Sequence, residues 1–213
     1  MSKLILFQGD SITDGNRIKP NEWDLNHQMG HGYAFIINAK LGAEYPERDY
    51  RFLNRGVSGN RVSDLYCRWQ EHTLVYKPDI LSILIGVNDA NAYLENGCGS
   101  VGDRFEKIYQ LLIDEVTDNK ADTKIVLCEP FVLPVKDKEE RYAQMLDLLR
   151  PMQETVRRLA LRNNAVFVPL QEKFEEAGRK NGNEYWIWDG VHPTVCGHQL
   201  IADAWLECCK DIL

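Results

Sequence analysis

The run Asp79-Ile80-Leu81-Ser82-Ile83-Leu84-Ile85 constrains this chain more than any other stretch. It is nearly continuously apolar, and it stops at Gly86-Val87-Asn88-Asp89. A strand of this kind is buried on both faces, which is the condition of an inner strand in a parallel sheet covered by helices. Four shorter runs fit beside it: Lys3-Leu4-Ile5-Leu6-Phe7, Tyr50-Arg51-Phe52-Leu53-Asn54, Lys124-Ile125-Val126-Leu127-Cys128 and Ala165-Val166-Phe167-Val168.

Between these runs the apolar residues recur at helical spacing. Tyr33, Phe35 to Ile37 and Leu41 predict a helix closed near Gly42, and Val62, Leu65, Tyr66 and Trp69 predict one running to about Val75. Trp69 then belongs to the core. Phe105 to Val116 makes a third stripe, and Tyr142 to Ala160 a long fourth one that Pro151 should kink or split, since proline removes an amide donor. Leu170 to Ala177 predicts a short helix, and Leu200, Ile201, Ala204, Trp205 and Cys208 mark the closing one. Alternating strands and helices call for a parallel α/β sheet with helices on both faces. With no linker and no repeat, residues 1–213 read as a single domain.

A formal net charge of −7 without a sustained basic block offers no footprint for nucleic acid or an anionic membrane. No apolar run approaches the length of a membrane span, and Leu4 to Phe7 is too short for a signal-peptide core, so a cytoplasmic protein is expected. The six cysteines form no C-x-x-C pair and read as reduced, mostly structural thiols. The five histidines do not combine with them at a zinc-site spacing, so neither a metal nor a cofactor is expected.

In a parallel sheet all strands end at one edge, where open α/β folds do their chemistry. Ser11, Gly59 and Asn88 each closely follow an apolar strand, and Asp189 and His192 lie in the loop after the last one. All five can therefore meet at one rim. Gly9-Asp10-Ser11 alone is read most simply as a turn and a helix N-cap. An unassisted serine is a weak nucleophile, so its meaning depends on a base and an oxyanion site elsewhere. Asp189 and His192, three residues apart, can pair through Nδ1 and leave Nε2 facing the serine. Gly59 can offer a bare backbone N–H, Asn88 a side-chain amide and Ser11 its own N–H to a developing alkoxide. Taken separately, Gly59 is a turn glycine and Asn88 a turn asparagine; together with Ser11 and the Asp/His pair they make the set an acyl hydrolase needs.

Four blocks, Gly9-Asp10-Ser11, Asn54-Arg55-Gly56-Val57-Ser58-Gly59, Gly86-Val87-Asn88-Asp89 and Asp189-Gly190-Val191-His192-Pro193, occur in the order of the SGNH/GDSL hydrolase family, which this chain resembles over nearly its whole length. The resemblance implies a flavodoxin-like, three-layer αβα sandwich around a five-stranded parallel sheet and metal-free ester hydrolysis. It implies Ser11 as nucleophile, His192 as base and Asp189 as its orienter, with Ser11, Gly59 and Asn88 as oxyanion donors. Gly59 rather than Gly56 matches the donor glycine. Ile12 stands where the family has Leu. The serine lacks a G-x-S-x-G elbow, which disfavours the α/β-hydrolase fold, and no G-x-G-x-x-G follows the first strand.

Tyr185, Trp186 and Trp188 beside the pair are candidates for a flat wall against a sugar ring, with Trp23 and Tyr93 as additions from other loops and Asp10 as a further substrate contact. At least one of the first three is expected in the core. Trp188 to Pro193 is similar to the corresponding segment of acetylxylan and related carbohydrate esterases. The resemblance therefore points to short acyl esters on a small sugar or oligosaccharide, and admits a homo-oligomer with exposed aromatics at its seam. A thioesterase or lysophospholipase of the same family, or a silent carbohydrate-binding protein, are the alternatives.

Overall fold

The computed structural model describes residues 2–18, 27–136 and 139–213. Strands β1 (Leu4–Gly9), β2 (Arg51–Asn54), β3 (Ile80–Leu84), β4 (Lys124–Cys128) and β5 (Val166–Val168) form one sheet in the order β2-β1-β3-β4-β5. Every neighbouring pair is parallel. Two strands inside the sheet, β1 and β3, are buried at every residue, whereas the edge strands β2 and β5 are partly exposed.

Successive side chains of a strand point to opposite faces, and the core divides accordingly. Leu6, Leu81, Ile83, Ile125 and Leu127 face a cluster that includes Val62, Leu65, Trp69, Phe105, Tyr109, Met145 and Leu149. Those residues come from helices α3 (Val62–Cys67), α4 (Trp69–His72), α6 (Asp103–Asn119) and α7 (Glu139–Arg162). Ile5, Phe7, Ile80, Leu84, Val126 and Cys128 face the other cluster, with Tyr33, Ile37, Phe174, Ile201 and Trp205. Here the cover is α2 (Tyr33–Glu44), α8 (Gln171–Asn181) and α9 (Val195–Cys209). The polar residue inside β3 is also accounted for: Trp205 Nε1 donates to Ser82 Oγ at 3.0 Å. A buried hydroxyl needs such a partner.

Three expectations change. The helix predicted from Val62 to about Val75 is broken at Arg68 (φ −116°, ψ 11°) into α3 and α4, followed by a 3₁₀ turn at Leu74–Tyr76. Pro151 does not split α7, which runs unbroken from Glu139 to Arg162. Pro151 and Asp147 both lie on the exposed side of α7, where water can replace the missing amide partner. Finally, Val87–Asn96 is a helix, α5, where the sequence reads only as a turn; its buried face is limited to Val87, Asp89 and Ala90, too narrow a stripe to signal a period. All six cysteines are unpaired. No helix among the described residues is long and apolar enough to cross a membrane.

Candidate active site

Gly9 ends β1, Asp10 caps the short helix α1 (Ser11–Asp14), and Ser11 is that helix's first residue. Asp10 Oδ1 accepts from Ile12 N at 3.0 Å. The N-cap reading of this tripeptide is thus right for Asp10, which leaves Ser11 beyond the cap. Asp10 is 1% exposed, so the expectation that it contacts substrate is corrected: its carboxylate is turned inward onto the backbone. Burial pushes its carboxyl up to about 7, against the Ile12 hydrogen bond and the nearby imidazole of His192.

The loop after β2 is stapled to α1. Asn54 Nδ2 donates to Thr13 O (2.6 Å), Gly56 N donates to Asn54 Oδ1 (2.9 Å), and Ser58 N donates to Asp14 Oδ2 (3.0 Å). The two glycines of this block differ in kind. A Cβ on Gly56 would lie 2.4 Å from Asp14 N, so Gly56 serves close packing. Gly59 has open space around it but a φ of +80°, in the left-handed region that favours glycine, and it is exposed at the rim. Asn60, the next residue, accepts from Asn88 Nδ2 through its backbone carbonyl at 3.1 Å. Asn88 stands in the first turn of α5, and this bond fixes its amide while leaving the second N–H to point elsewhere.

Asp189 and His192 sit in a small hairpin closed by Trp188 N to His192 O (3.1 Å) and Thr194 N to Trp186 O (2.9 Å). Asp189 Oδ1 accepts from Val191 N at 3.0 Å and His192 N at 2.7 Å, and Oδ2 lies 2.6 Å from His192 Nδ1. Burial alone would raise this carboxyl; the hydrogen bonds from the His192 backbone and ring and from Val191 outweigh it and hold Asp189 below its ordinary value. An ionised carboxylate can only accept, so in the neutral imidazole it is Nδ1 that carries the proton and Nε2 that is left as an acceptor. Ser11 Oγ lies 2.8 Å from that Nε2, although 181 positions separate the two residues.

The aromatic candidates separate. Trp188 is 64% exposed and stacks on the His192 ring, with centroids 5.5 Å apart and planes at 19°. Trp186 is partly buried against the core and is the member of the trio that packs inward. Tyr185 is exposed, and its hydroxyl accepts from Cys196 Sγ at 3.4 Å. Tyr93 is exposed on α5, and Trp23 lies outside the described residues.

A cavity of about 630 Å³ opens beside Asn88 and His192 and is bounded by α5, the segment after β4 and the start of α7. Val87, Leu133, Val135 and Met145 give it an apolar floor, and Asn91, Glu95 and Arg141 a polar mouth. Arg141 Nη2 bonds Asn91 Oδ1 and, at 2.9 Å, Glu95 Oε1. Tyr185, Trp186 and Trp188 do not line it. Sequence reasoning missed this mouth because it missed α5; the signal it had was Gly97, whose left-handed conformation caps that helix.

An α/β domain that aligns a serine, an imidazole and a carboxylate at the rim of its parallel sheet falls in the class of carboxylic ester hydrolases. The model of the GDSL-like Lipase/Acylhydrolase family matches residues 7–200, and the chain belongs to that family. It is 34% identical over 212 residues to the acetylxylan esterase of Geobacillus stearothermophilus, covering 95% of this chain and 92% of that one. A crystal structure of a Parabacteroides merdae protein described as GDSL-like superposes with a TM-score of 0.90 at 36% identity, over 98% of this chain and 96% of that one. A catalytic mutant of the Geobacillus acetylxylan esterase superposes with a TM-score of 0.86 at 32% identity, over 96% and 93%.

Proposed function

We propose that this chain is a serine esterase that removes acetyl or other short acyl groups from a sugar or oligosaccharide through an acyl-enzyme intermediate. The observation that carries this reading is the unbroken line from Ser11 Oγ through His192 to Asp189, at 2.8 and 2.6 Å. Nε2 takes the hydroxyl proton as Ser11 Oγ attacks the ester carbonyl carbon. The carbonyl oxygen becomes an oxyanion, met by N–H donors of Ser11, Gly59 and the Asn88 side chain. His192 then returns its proton to the departing alcohol, and water attacks the acyl-serine by the same steps in reverse, releasing the acid.

Since His192 must hand a proton to the alcohol oxygen, the alcohol moiety lies on the side of the imidazole. The cavity there, with its polar mouth, is large enough for a sugar unit and able to bind hydroxyls. Trp188 offers a second, flat surface at the same imidazole. The likeness to an acetylxylan esterase supports the carbohydrate substrate, and six unpaired thiols support a reducing, cytoplasmic setting. Hydrolysis of acetylated xylo-oligosaccharides is compared with that of long-chain acyl thioesters. The reading expects a higher kcat/KM on the sugars; preference for the thioesters would overturn it.

A further inference from the structure

We infer that Arg68 is the positioning residue of the oxyanion site: its guanidinium ties the end of the nucleophile strand to the loop carrying Gly59 and, through Asn60, to the side chain of Asn88. This inference rests on the esterase reading and adds to it a residue outside the four sequence blocks.

Arg68 occupies the break between α3 and α4, so its side chain leaves the helical path. Nη2 donates to Gly9 O at 3.3 Å, the carbonyl two residues before Ser11. Nη1 donates to Arg55 O at 2.8 Å and to Gln8 Oε1 at 2.9 Å, and Nε donates to Asn60 Oδ1 at 2.6 Å. The backbone carbonyl of that same Asn60 holds Asn88 Nδ2. Val57 N closes the arrangement by donating to Gly9 O at 3.1 Å. One planar group thus touches the end of β1 that leads to Ser11 and the loop that carries Gly59, and reaches Asn88 through Asn60.

All of these acceptors are neutral, and among the described residues no carboxylate lies within ion-pair distance of Arg68. His72 Nδ1, 3.1 Å from Nη1, is a further neutral neighbour. A half-buried cation whose contacts are all uncharged has only the more distant carboxylates of Asp14 and Asp64 to offset its lost water, so its fixed fork geometry is what the site uses. Burial lowers its pKa to about 10, which leaves it charged at neutral pH. A lysine, with its donors on one atom, cannot span Gly9, Arg55 and Asn60 together.

The test compares wild type, Arg68→Lys, Asn60→Ala, Asn88→Ala and the Arg68→Lys/Asn88→Ala double variant, with p-nitrophenyl acetate as substrate and phenylboronic acid as a tetrahedral mimic. For Arg68→Lys we expect kcat to fall roughly 10- to 100-fold with KM within about twofold, and boronate affinity to fall by a similar factor, as a misplacement of about 1 Å does. The double variant should lose less than the product of the single losses, because part of what Arg68 does is hold the Asn88 donor in place. Less than twofold loss in kcat, a loss confined to KM with unchanged boronate affinity, or fully multiplicative losses would each overturn the inference. If Arg68→Lys fails to fold, Asn60→Ala carries the test by cutting only the Nε to Oδ1 link. It should lower kcat roughly 3- to 10-fold, and an unchanged kcat would overturn the inference. A wild-type protein inert on every ester would instead overturn the esterase reading, and this inference with it.

Discussion

Replacing Asp189 by Asn changes one atom and should nearly silence the enzyme. Two backbone amides, Val191 N at 3.0 Å and His192 N at 2.7 Å, hold Oδ1 of the wild-type carboxylate. In the variant they select the orientation in which the amide oxygen stays at that position. The new NH₂ group then faces His192 Nδ1, where wild type has an acceptor at 2.6 Å. Turning the amide over would restore an acceptor there but leave two backbone N–H groups against a donor, costing roughly 2 to 6 kcal/mol at about 1 to 3 for each unsatisfied group. The unturned amide therefore prevails. It forces the proton of the neutral imidazole onto Nε2, which can no longer accept from Ser11 Oγ. A wrong tautomer in an equivalent arrangement lowers kcat about 10⁴-fold, or roughly 5.5 kcal/mol. The assay is steady-state hydrolysis of p-nitrophenyl acetate at pH 7.5, with circular dichroism to show an unchanged fold. Retention of a tenth or more of wild-type kcat would refute the tautomer reasoning.

Further outcomes are expected. Asn88→Ala should lower kcat on the order of 10²- to 10³-fold with little change in KM, as when one oxyanion donor is removed, and an unchanged kcat would contradict its role. Asp10→Asn keeps the cap but removes a buried ionisation. Because burial raises the folded-state pKa from 3.8 to about 7, stability is full below the lower value, declines as pH rises between the two and is lowest above the upper one. The variant should thus melt above wild type at pH 8, by at most roughly 4 kcal/mol of stability, and the gap should close towards pH 4; melting curves from pH 4 to 9 would show it, and equal Tm values at pH 8 would contradict it. Trp188→Ala should raise KM for acetylated xylo-oligosaccharides roughly 3- to 10-fold while changing kcat/KM for ethyl acetate less than about threefold, the scale of one lost aromatic contact. Equal effects on both esters would mean that Trp188 acts on His192 and not on the sugar.

Ser11, His192 and Asp189 were legible in the sequence for a topological reason. Once β1 and β3 read as buried parallel strands, their ends had to share a rim, and residues at opposite ends of the chain became neighbours. Periodicity carried less elsewhere. Val62, Leu65 and Trp69 keep a helical register across the break at Arg68, so the residue that leaves the helix gives no sign of doing so. In α5 the buried face includes Asp89, which is hidden because Val62 N and Ser100 N donate to its carboxylate at 2.9 and 3.2 Å. No hydrophobicity pattern marks such a residue as interior. Trp186 and Trp188 lie in an irregular hairpin held by a bridge between Ile187 and Pro193, where no period tells an inward tryptophan from an outward one. Asp10 illustrates a different limit: a carboxylate beside a reactive serine and a carboxylate capping a helix are spelled alike.

Everything in the proposed reaction depends on Ser11 being the group that attacks. The protein is incubated with a serine-directed alkyl phosphonate and the labelled peptides are mapped. One equivalent should bind, on Ser11, with activity lost in proportion, and labelling should slow strongly in His192→Ala. Loss of activity with the label on another residue, or full activity after Ser11 is labelled, would contradict that role for Ser11.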